Sequence, residues 1–249
     1  MRKTFLFLDF DNTMMATEQY AVPSLIARFN DLYGDRIETP LTLDVFKRHF
    51  HGQARENLCA NLAAYFGIDV DYQTLYRDRE WHVMQHLQQV REKEGGVPMA
   101  PHLIETLSNL AADGTVLSFV SNNPVQRGLA AMRYADNGRG DALANLFGTR
   151  FFEAGDVQKP KPDVYLRAMQ QVGATPEQSI AVEDSVTGVT AAVAAGMTVY
   201  GFVGFADDRA AAAKKLIEAG AKDVFDDWQN FHQTLQKTNR CAFSPPGMK

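Results

Sequence analysis

The stretch TFLFLDFDNT, residues 4–13, ends a short apolar run with two acids, Asp9 and Asp11. Residues 4–8 form a short, apolar and partly aromatic run, which is typical of a buried strand. Two carboxylates directly after such a strand repel each other and lose hydration, so we expect them either in a solvated turn or around a cation that takes part in a reaction. The rest of the chain distinguishes these two hypotheses.

The amino-acid composition limits the classes of partner that we expect this protein to bind. Its 25 Lys and Arg residues and 30 Asp and Glu residues give a net charge of −5 with no basic run, which argues against nucleic acid and anionic membrane surfaces as partners. No stretch approaches the roughly 20 apolar residues that span a bilayer, and the N-terminal apolar run is too short for a signal peptide. We therefore predict a cytoplasmic location. Cys59 and Cys241 are far apart, which indicates neither a zinc site nor a disulfide framework.

Strand-like and helical patterns alternate along most of the chain. The strand-like runs after the first are residues 115–120, 179–183, 198–203 and, more weakly, 222–226. Helical patterns occupy residues 101–114, 162–174 and 186–197. This alternation predicts an α/β fold, a doubly wound parallel sheet with helices on both faces. The near-continuous apolar strands agree with burial on both faces.

Residues 18–93 interrupt this alternation, because they have helical patterns with polar faces and no convincing strand. The interruption begins just after the paired acids and ends at a Gly-Gly-Val-Pro turn signal. We predict a helical cap at residues 17–95, inserted after the first strand and lying over the carboxyl end of the sheet. Residues 1–16 and 96–240 would form the core. A loose tail is predicted at 241–249, where periodicity is lacking and two prolines are adjacent.

Polar side chains follow three of the predicted strands, at the edge where ligands bind in open parallel sheets. They are Asp9 and Asp11 after the first strand, Ser121, Asn122 and Asn123 after the second, and Glu183 and Asp184 after the third. Lys159, in a segment that prolines stiffen, precedes the helix leading into the third strand. The carboxyl ends of parallel strands meet at one edge, so we expect these side chains to lie close together.

These side chains suit two kinds of ligand. Acids at two strand ends predict a site for a hard cation with oxygen ligands, and Mg²⁺ fits because it uses few carboxylates and leaves room for phosphate oxygens and water. The free amides at the start of the helix after the second strand, with the Ser121 hydroxyl, form an anion site. Asn123 is predicted to cap that helix, with Pro124 at its first position.

The order of the motifs resembles that of the haloacid dehalogenase superfamily. Asp-x-Asp-x-Thr comes first, followed by Ser-Asn after an apolar strand, then Lys-Pro-x-Pro-Asp, then Glu-Asp-Ser-x-x-Gly. The similarity extends to about Leu235, and the helical segment resembles the cap of the phosphoglycolate phosphatase and β-phosphoglucomutase-like branch. The resemblance implies a Rossmann-like core, a helical cap and phosphoryl transfer.

The resemblance also implies roles for the four acids. Asp9 would be the nucleophile and form an aspartyl phosphate. Asp11 would protonate the leaving oxygen and later take a proton from the attacking water. Asp184 would bind Mg²⁺ together with Asp9 and the backbone carbonyl of Asp11, and Glu183 would be a direct or water-mediated partner.

Four further residues are predicted to bind the substrate. Ser121, the Asn122 amide and Lys159 would hold the transferring phosphoryl oxygens and stabilise their charge, which makes Ser121 and Lys159 catalytic residues as well. Arg55 lies in a segment that resembles the Gly-x-x-Arg segment of the branch's cap. It could bind a second anionic group of the substrate, and a solvent-facing Arg on a helix is an equally good interpretation.

Departures from the family pattern rank the possible functions. Mutase relatives have an Asp and a His where this chain has Ala16 and Ala21, and true dehalogenases lack the acid at Asp11. We therefore predict a Mg²⁺-dependent phosphatase of small phosphorylated metabolites, such as a phosphorylated acid or sugar. The alternatives are a β-phosphoglucomutase-like phosphosugar mutase and, from a different class, a non-catalytic binding protein on the same fold.

Overall fold

Six parallel strands form one sheet in the order β3-β2-β1-β4-β5-β6. The computed structural model describes residues 3–50, 53, 55–76, 79–231 and 235. The strands are β1 Phe5–Leu8, β2 Val116–Ser121, β3 Phe151–Glu153, β4 Ser179–Glu183, β5 Thr198–Phe202 and β6 Asp223–Phe225. The order reverses on either side of the central strand β1, which confirms the doubly wound α/β fold and directs ligands to the carboxyl end of β1.

All five predicted strands are present, and β3 is the strand that the sequence did not indicate. It contains only three residues and lies at the edge of the sheet. There it pairs with β2 in three residue pairs, which begin with Phe151 opposite Phe119. A run of three residues is too short to establish either an alternating or a continuous apolar pattern. Its pairing with β2 therefore depends on the tertiary structure.

Helices after the cap segment cover the sheet in the described part of the chain. They are α6 Leu103–Ala112, α7 Val125–Arg133, α8 Gly140–Phe147, α9 Asp163–Val172, α10 Val186–Ala194 and α11 Arg209–Glu218. Strand β1 is buried on both faces, because Leu6 and Leu8 belong to one apolar cluster and Phe5 and Phe7 to another. This two-sided burial explains why the sequence of β1 is continuously apolar rather than alternating.

Five helices lie between β1 and α6 in the described part of the chain. They are α1 Glu18–Tyr33, α2 Leu43–His49, α3 Arg55–Phe66, α4 Tyr72–Tyr76 and α5 Arg79–Glu94. Their side chains form a third apolar cluster, centred on Phe29 and Leu62, that is separate from the two clusters of the sheet. One face of α5, with Val83 and Leu87, packs instead into the core cluster that contains Leu6.

The segment that follows β6 secures the loop after β1. Trp228 is fully buried, and its Nε1 donates to the backbone oxygen of Thr13 at 3.3 Å. The predicted tail at 241–249 lies outside the described residues, as does Cys241, whereas Cys59 is a buried free thiol. Among the described helices, none is both long enough and apolar enough to cross a bilayer.

Replacing Phe29 with Ala should destabilise the helical segment. Phe29 has no exposed surface and packs in the third cluster, so its removal leaves a cavity that costs about 3–5 kcal/mol of unfolding free energy. The matched control is Leu43→Ala, because Leu43 is 43% exposed and should cost less than about 1 kcal/mol. Urea unfolding measures both values. Equal losses in the two variants would contradict the packing described here.

Candidate active site

Asp9 stands at the point where β1 ends. Its backbone N–H donates to the oxygen of Val182 in β4 at 3.1 Å, which extends the sheet pairing by one residue. The carboxylate is almost fully buried. Oδ1 accepts from Lys159 Nζ at 2.7 Å, and Oδ2 accepts from the Thr13 hydroxyl at 3.2 Å. Residues of the predicted first and third motifs are therefore in direct contact.

Lys159 bridges two buried carboxylates. Its Nζ lies 2.7 Å from Asp9 Oδ1 and 2.7 Å from Glu183 Oε1, and its side chain is only 2% exposed. Burial disfavours the charged ammonium, but the two acids outweigh burial and hold the pKa of Lys159 above its ordinary value. Asn122 contributes by accepting from the Lys159 backbone N–H through Oδ1 at 2.9 Å. Asn122 thus holds the Lys159 segment in place.

Glu183 points into the interior. Its Oε1 accepts hydrogen bonds from Lys159 and from the hydroxyl of Tyr165, which is fully buried. Its Oε2 is buried and has no hydrogen-bond partner among the described residues. Gly188 in α10 makes this position possible, since a Cβ at Gly188 would lie 1.8 Å from Glu183 Oε2. The sequence analysis did not identify the role of Tyr165.

Three acids from two strand ends converge. Carboxylate oxygens of Asp9, Glu183 and Asp184 lie within 4.8 Å of one another. Burial, with repulsion from Glu183 and Asp11 acting against the attraction of Lys159, raises the pKa of Asp9 to about 8. Burial and the charge of Asp9 also raise the pKa of Asp184 well above its ordinary value. Ionising all three acids would therefore place more negative charge in the cluster than Lys159 neutralises.

The carboxylate of Asp11 has a different environment from that of Asp9. Its Oδ1 accepts from Thr17 Oγ1 and from Arg127 Nη2, the latter at 2.9 Å, and its Oδ2 accepts from Asn123 Nδ2 at 2.8 Å. Burial opposes ionisation, but the charge of Arg127 and the hydrogen bonds from Thr17 and Asn123 prevail and lower the pKa of Asp11. The pKa values of Asp9 and Asp11, the two acids of the first motif, are thus shifted in opposite directions.

The predicted capping role of Asn123, with Pro124 at the first helical position, is wrong. Helix α7 begins at Val125 without a side-chain hydrogen bond from the residue before it, Pro124. The Asn123 side chain turns to Asp11 instead, and the Val125 N–H donates to Glu153 Oε2 at 2.7 Å. The hydroxyl of Ser121 accepts from the Asn123 N–H at 2.9 Å and lies 3.4 Å from Asp11 Oδ2. Asn123 is not at the cap position because α7 begins one residue later than predicted, and its Nδ2 donates a charge-assisted hydrogen bond to Asp11.

A cavity of about 170 Å³ opens above these side chains. Asp9, Asp11, Lys159 and Asp184 line its floor, along with Asn122, Asn123 and Arg127. Its opposite wall comes from the helical segment and includes Leu25, Phe46, Phe50, Tyr76 and Arg79. The predicted acids, amides and lysine thus lie in one cavity under the helical segment, and Ser121 contacts Asp11 beside it.

Two predictions from the sequence concern the residues around the cavity: the contact of Arg55 with substrate, and the alanines that replace the polar residues of the mutases. Arg55 begins α3, but its side chain lies outside the described residues, so its contact with substrate stays a prediction. Ala21 lines the cavity and Ala16 is buried close by. Neither position therefore supplies an acid or an imidazole to the site.

Arg127, Thr17 and Tyr165 are site residues that the sequence analysis missed. Arg127 occupies a helix with an ordinary amphipathic pattern, and an Arg in such a helix is normally solvent-exposed. The signal available for Tyr165 was its position three residues after the second proline of the Lys-Pro-x-Pro segment, on the buried face of α9. Nothing in the local sequence distinguishes Thr17 from any other residue at a helix start.

Comparison with known proteins identifies curated relatives that are similar to part of this chain. A phosphorylated carbohydrates phosphatase of Thermotoga maritima is 31% identical over 125 residues, which cover 49% of this chain and 52% of that protein. A phosphoglycolate phosphatase of Escherichia coli is 33% identical over 110 residues, covering 43% of this chain and 41% of the relative. The chain thus matches about half the length of these curated relatives.

Solved structures share the fold over nearly the whole chain. A haloacid dehalogenase-like protein of Agrobacterium tumefaciens superposes with a TM-score of 0.74 at 23% identity, covering 95% of this chain and 99% of that one. A putative β-phosphoglucomutase of Thermotoga maritima gives a TM-score of 0.65 at 22% identity, with 94% and 99% covered. The family model of the haloacid dehalogenase-like hydrolases matches residues 4–196. The chain therefore belongs to the haloacid dehalogenase-like hydrolase family.

Proposed function

We propose that this protein is a Mg²⁺-dependent phosphatase that hydrolyses small phosphorylated metabolites through an aspartyl phosphate on Asp9. The observation that carries the proposal is the contact between Lys159 Nζ and Asp9 Oδ1 at 2.7 Å, on the floor of a cavity that Asp11 also lines. A carboxylate, an acid-base group and a fixed cation at one point are what phosphoryl transfer requires. The phosphatase names of the two curated relatives agree with it.

The reaction proceeds in two steps. Asp9 attacks phosphorus, the bond between phosphorus and the leaving oxygen breaks, and Asp11 gives a proton to that oxygen. Water then attacks the phosphorus of the aspartyl phosphate and gives a proton to Asp11, which restores Asp9 and releases inorganic phosphate. Lys159 and the Ser121 hydroxyl stabilise the charge on the transferring oxygens. Asn122 supports this arrangement by fixing the backbone of Lys159.

Mg²⁺ fits the oxygen donors that the acidic cluster of Asp9, Glu183 and Asp184 supplies. The carboxylates of Asp9, Asp184 and Glu183 lie within 4.8 Å of one another, and Glu183 Oε2 has no hydrogen-bond partner within the part of the chain that the structure describes. Oxygen ligands of this kind suit a hard cation. The resemblance to the family implies that the backbone carbonyl of Asp11 is a ligand of the ion, which leaves the Asp11 side chain with its four donors for proton transfer. When bound, the ion would supply positive charge beside the phosphoryl oxygens.

The helical segment selects and encloses the substrate. We propose that residues 17–95 act as a cap whose aromatic and apolar side chains, with Arg79, exclude bulk water from the cavity. A volume of about 170 Å³ suits a small metabolite. The printed names of the relatives, one acting on phosphorylated carbohydrates and the other on phosphoglycolate, support a phosphorylated sugar or acid. A cytoplasmic location stays a prediction.

Phosphate hydrolysis is preferred over phosphosugar isomerisation. At Ala16 and Ala21 the chain lacks the two polar groups that the mutases carry, and both alanines are buried beside the site. A non-catalytic binding protein has no need of Lys159 held between two buried acids, because that arrangement is costly to maintain without a reaction to serve.

Replacing Asp9 with Asn should abolish phosphate release. The amide cannot attack phosphorus, so turnover should fall on the order of 10⁴-fold or more. Phosphate release is measured with phosphoglycolate, glucose 6-phosphate, 6-phosphogluconate and adenosine monophosphate, with Mg²⁺ and with a chelator. Asp113→Asn is the matched control, since Asp113 is exposed at the end of α6. Full turnover in Asp9→Asn would refute the nucleophile assignment, and turnover that persists in the chelator would refute the metal.

Mg²⁺ should stabilise the folded protein in the absence of substrate. An ion that binds only the folded state, present at about 100 times its dissociation constant, adds about 2.7 kcal/mol of unfolding free energy. Thermal unfolding with and without Mg²⁺ measures the gain in the wild type, in Asp184→Asn and in Asp113→Asn. We expect the gain to disappear in Asp184→Asn and to persist in Asp113→Asn. An equal gain in all three proteins would show that the ion binds elsewhere.

A further inference from the structure

Four side-chain donors from three segments hold the carboxylate of Asp11. Thr17 comes from the start of α1, Ser121 and Asn123 from the end of β2, and Arg127 from α7. Arg127 is the charged member of this set, and its Nη2 lies 2.9 Å from Asp11 Oδ1. The side chains of Arg127 and Asp11 are 3% and 14% exposed. An ion pair so well shielded from water is weakly screened, so it restrains both groups more firmly than a surface pair does.

The backbone places Arg127 at this edge of the sheet for a local reason. Arg127 lies in the first turn of α7, and the next residue is Gly128. A Cβ at Gly128 would lie 2.7 Å from Phe119 Cζ in β2, so the glycine lets α7 approach β2 closely. The close approach brings the guanidinium to the carboxyl end of β1, where Asp11 lies.

The two oxygens of Asp11 have separate surroundings. Oδ1 accepts from Thr17 and Arg127, whereas Oδ2 accepts from Asn123 and lies 3.4 Å from the Ser121 hydroxyl. Ser121 is the residue that we assign to the phosphoryl oxygens. Oδ2 therefore faces the transferring phosphoryl group, whereas Oδ1 is held by Thr17 and Arg127.

We propose that Arg127 is the positioning residue of Asp11, holding Oδ1 so that Oδ2 faces the leaving oxygen. This role rests on the proposed phosphatase function. In the first step the proton on Oδ2 passes to the leaving oxygen while the phosphorus–oxygen bond breaks and the bond to Asp9 forms. In the second step the attacking water returns a proton to Oδ2 and the bond between phosphorus and Asp9 breaks.

Comparing two substrates whose leaving groups differ in basicity distinguishes a positioning role of Arg127 from a general structural one. Only the substrate with the more basic leaving group needs the proton from Asp11. The leaving group of p-nitrophenyl phosphate departs without a proton, whereas an alkyl alcohol needs one. The alkyl ester is whichever of phosphoglycolate, glucose 6-phosphate and 6-phosphogluconate the wild type hydrolyses best. We expect Arg127→Met to lower kcat about 10²-fold for the alkyl ester, the size of effect that a displaced catalytic group produces. For p-nitrophenyl phosphate the change should stay within about threefold, well below the contribution of general acid catalysis.

Three further variants complete the test. Arg127→Lys keeps the charge and should recover most of the lost kcat. Arg133→Met changes an exposed arginine of the same helix and should leave both rates unchanged. In an Asp11→Asn background, Arg127→Met should add little further loss for the alkyl ester, because the group that it positions is already absent. Thermal unfolding of each variant verifies that it is folded. If Arg127→Met does not fold, Arg127→Lys replaces it in the comparison of the two esters.

The outcomes are distinguishable. A loss of equal size for both esters, unchanged rates in Arg127→Met, or full additivity with Asp11→Asn would each overturn the positioning role. A gain in kcat for the alkyl ester would also overturn it, because the ion pair would then restrain Asp11 from acting. A wild-type protein that releases phosphate from none of the four esters would refute the proposed function itself, and the role of Arg127 with it.

Discussion

The buried contact of Lys159 with Asp9 and Glu183 is the interaction on which the site depends. A lysine that is 2% exposed is tolerated only where carboxylates replace its hydration, and two of them do so at 2.7 Å. Glu183 in turn is held by the Tyr165 hydroxyl and lies against Gly188. The nucleophile, the cation and the acid that supports the cation are therefore fixed relative to one another before any substrate arrives, which is the preorganisation that catalysis by electrostatics requires.

The sheet topology makes this contact possible. Asp9 and Glu183 are 174 residues apart along the chain, and they meet because β1 and β4 pair in parallel at the centre of the sheet. Lys159 reaches both from the segment between β3 and α9. Asp11 lies next to them but is held by a second set of donors on the α7 side. The result is two acids, two residues apart, whose pKa values are moved in opposite directions by burial and by Arg127.

The sequence predicted the parts of this arrangement that depend on order along the chain. Asp9, Asp11 and Asp184 follow buried strands and Lys159 precedes a proline pair at a recognisable spacing, and the fold brings all four to one edge of the sheet. Arg127 could not be found in this way, because its role depends on the close approach of α7 to β2 rather than on any local pattern. Asn123 was assigned to a helix end for the same reason: local rules cannot weigh a cap against a carboxylate 112 residues away. The short strand β3 likewise exists only through its pairing with β2.

Trapping the covalent intermediate tests the central claim most directly. The protein is mixed with a ³²P-labelled phosphoester, quenched in acid within one turnover, and digested for peptide mass spectrometry. We predict one phosphorylated residue, Asp9, with the label absent from Asp9→Asn. Phosphate release by the wild type with no label on the protein, or with label on a residue other than Asp9, would contradict the mechanism.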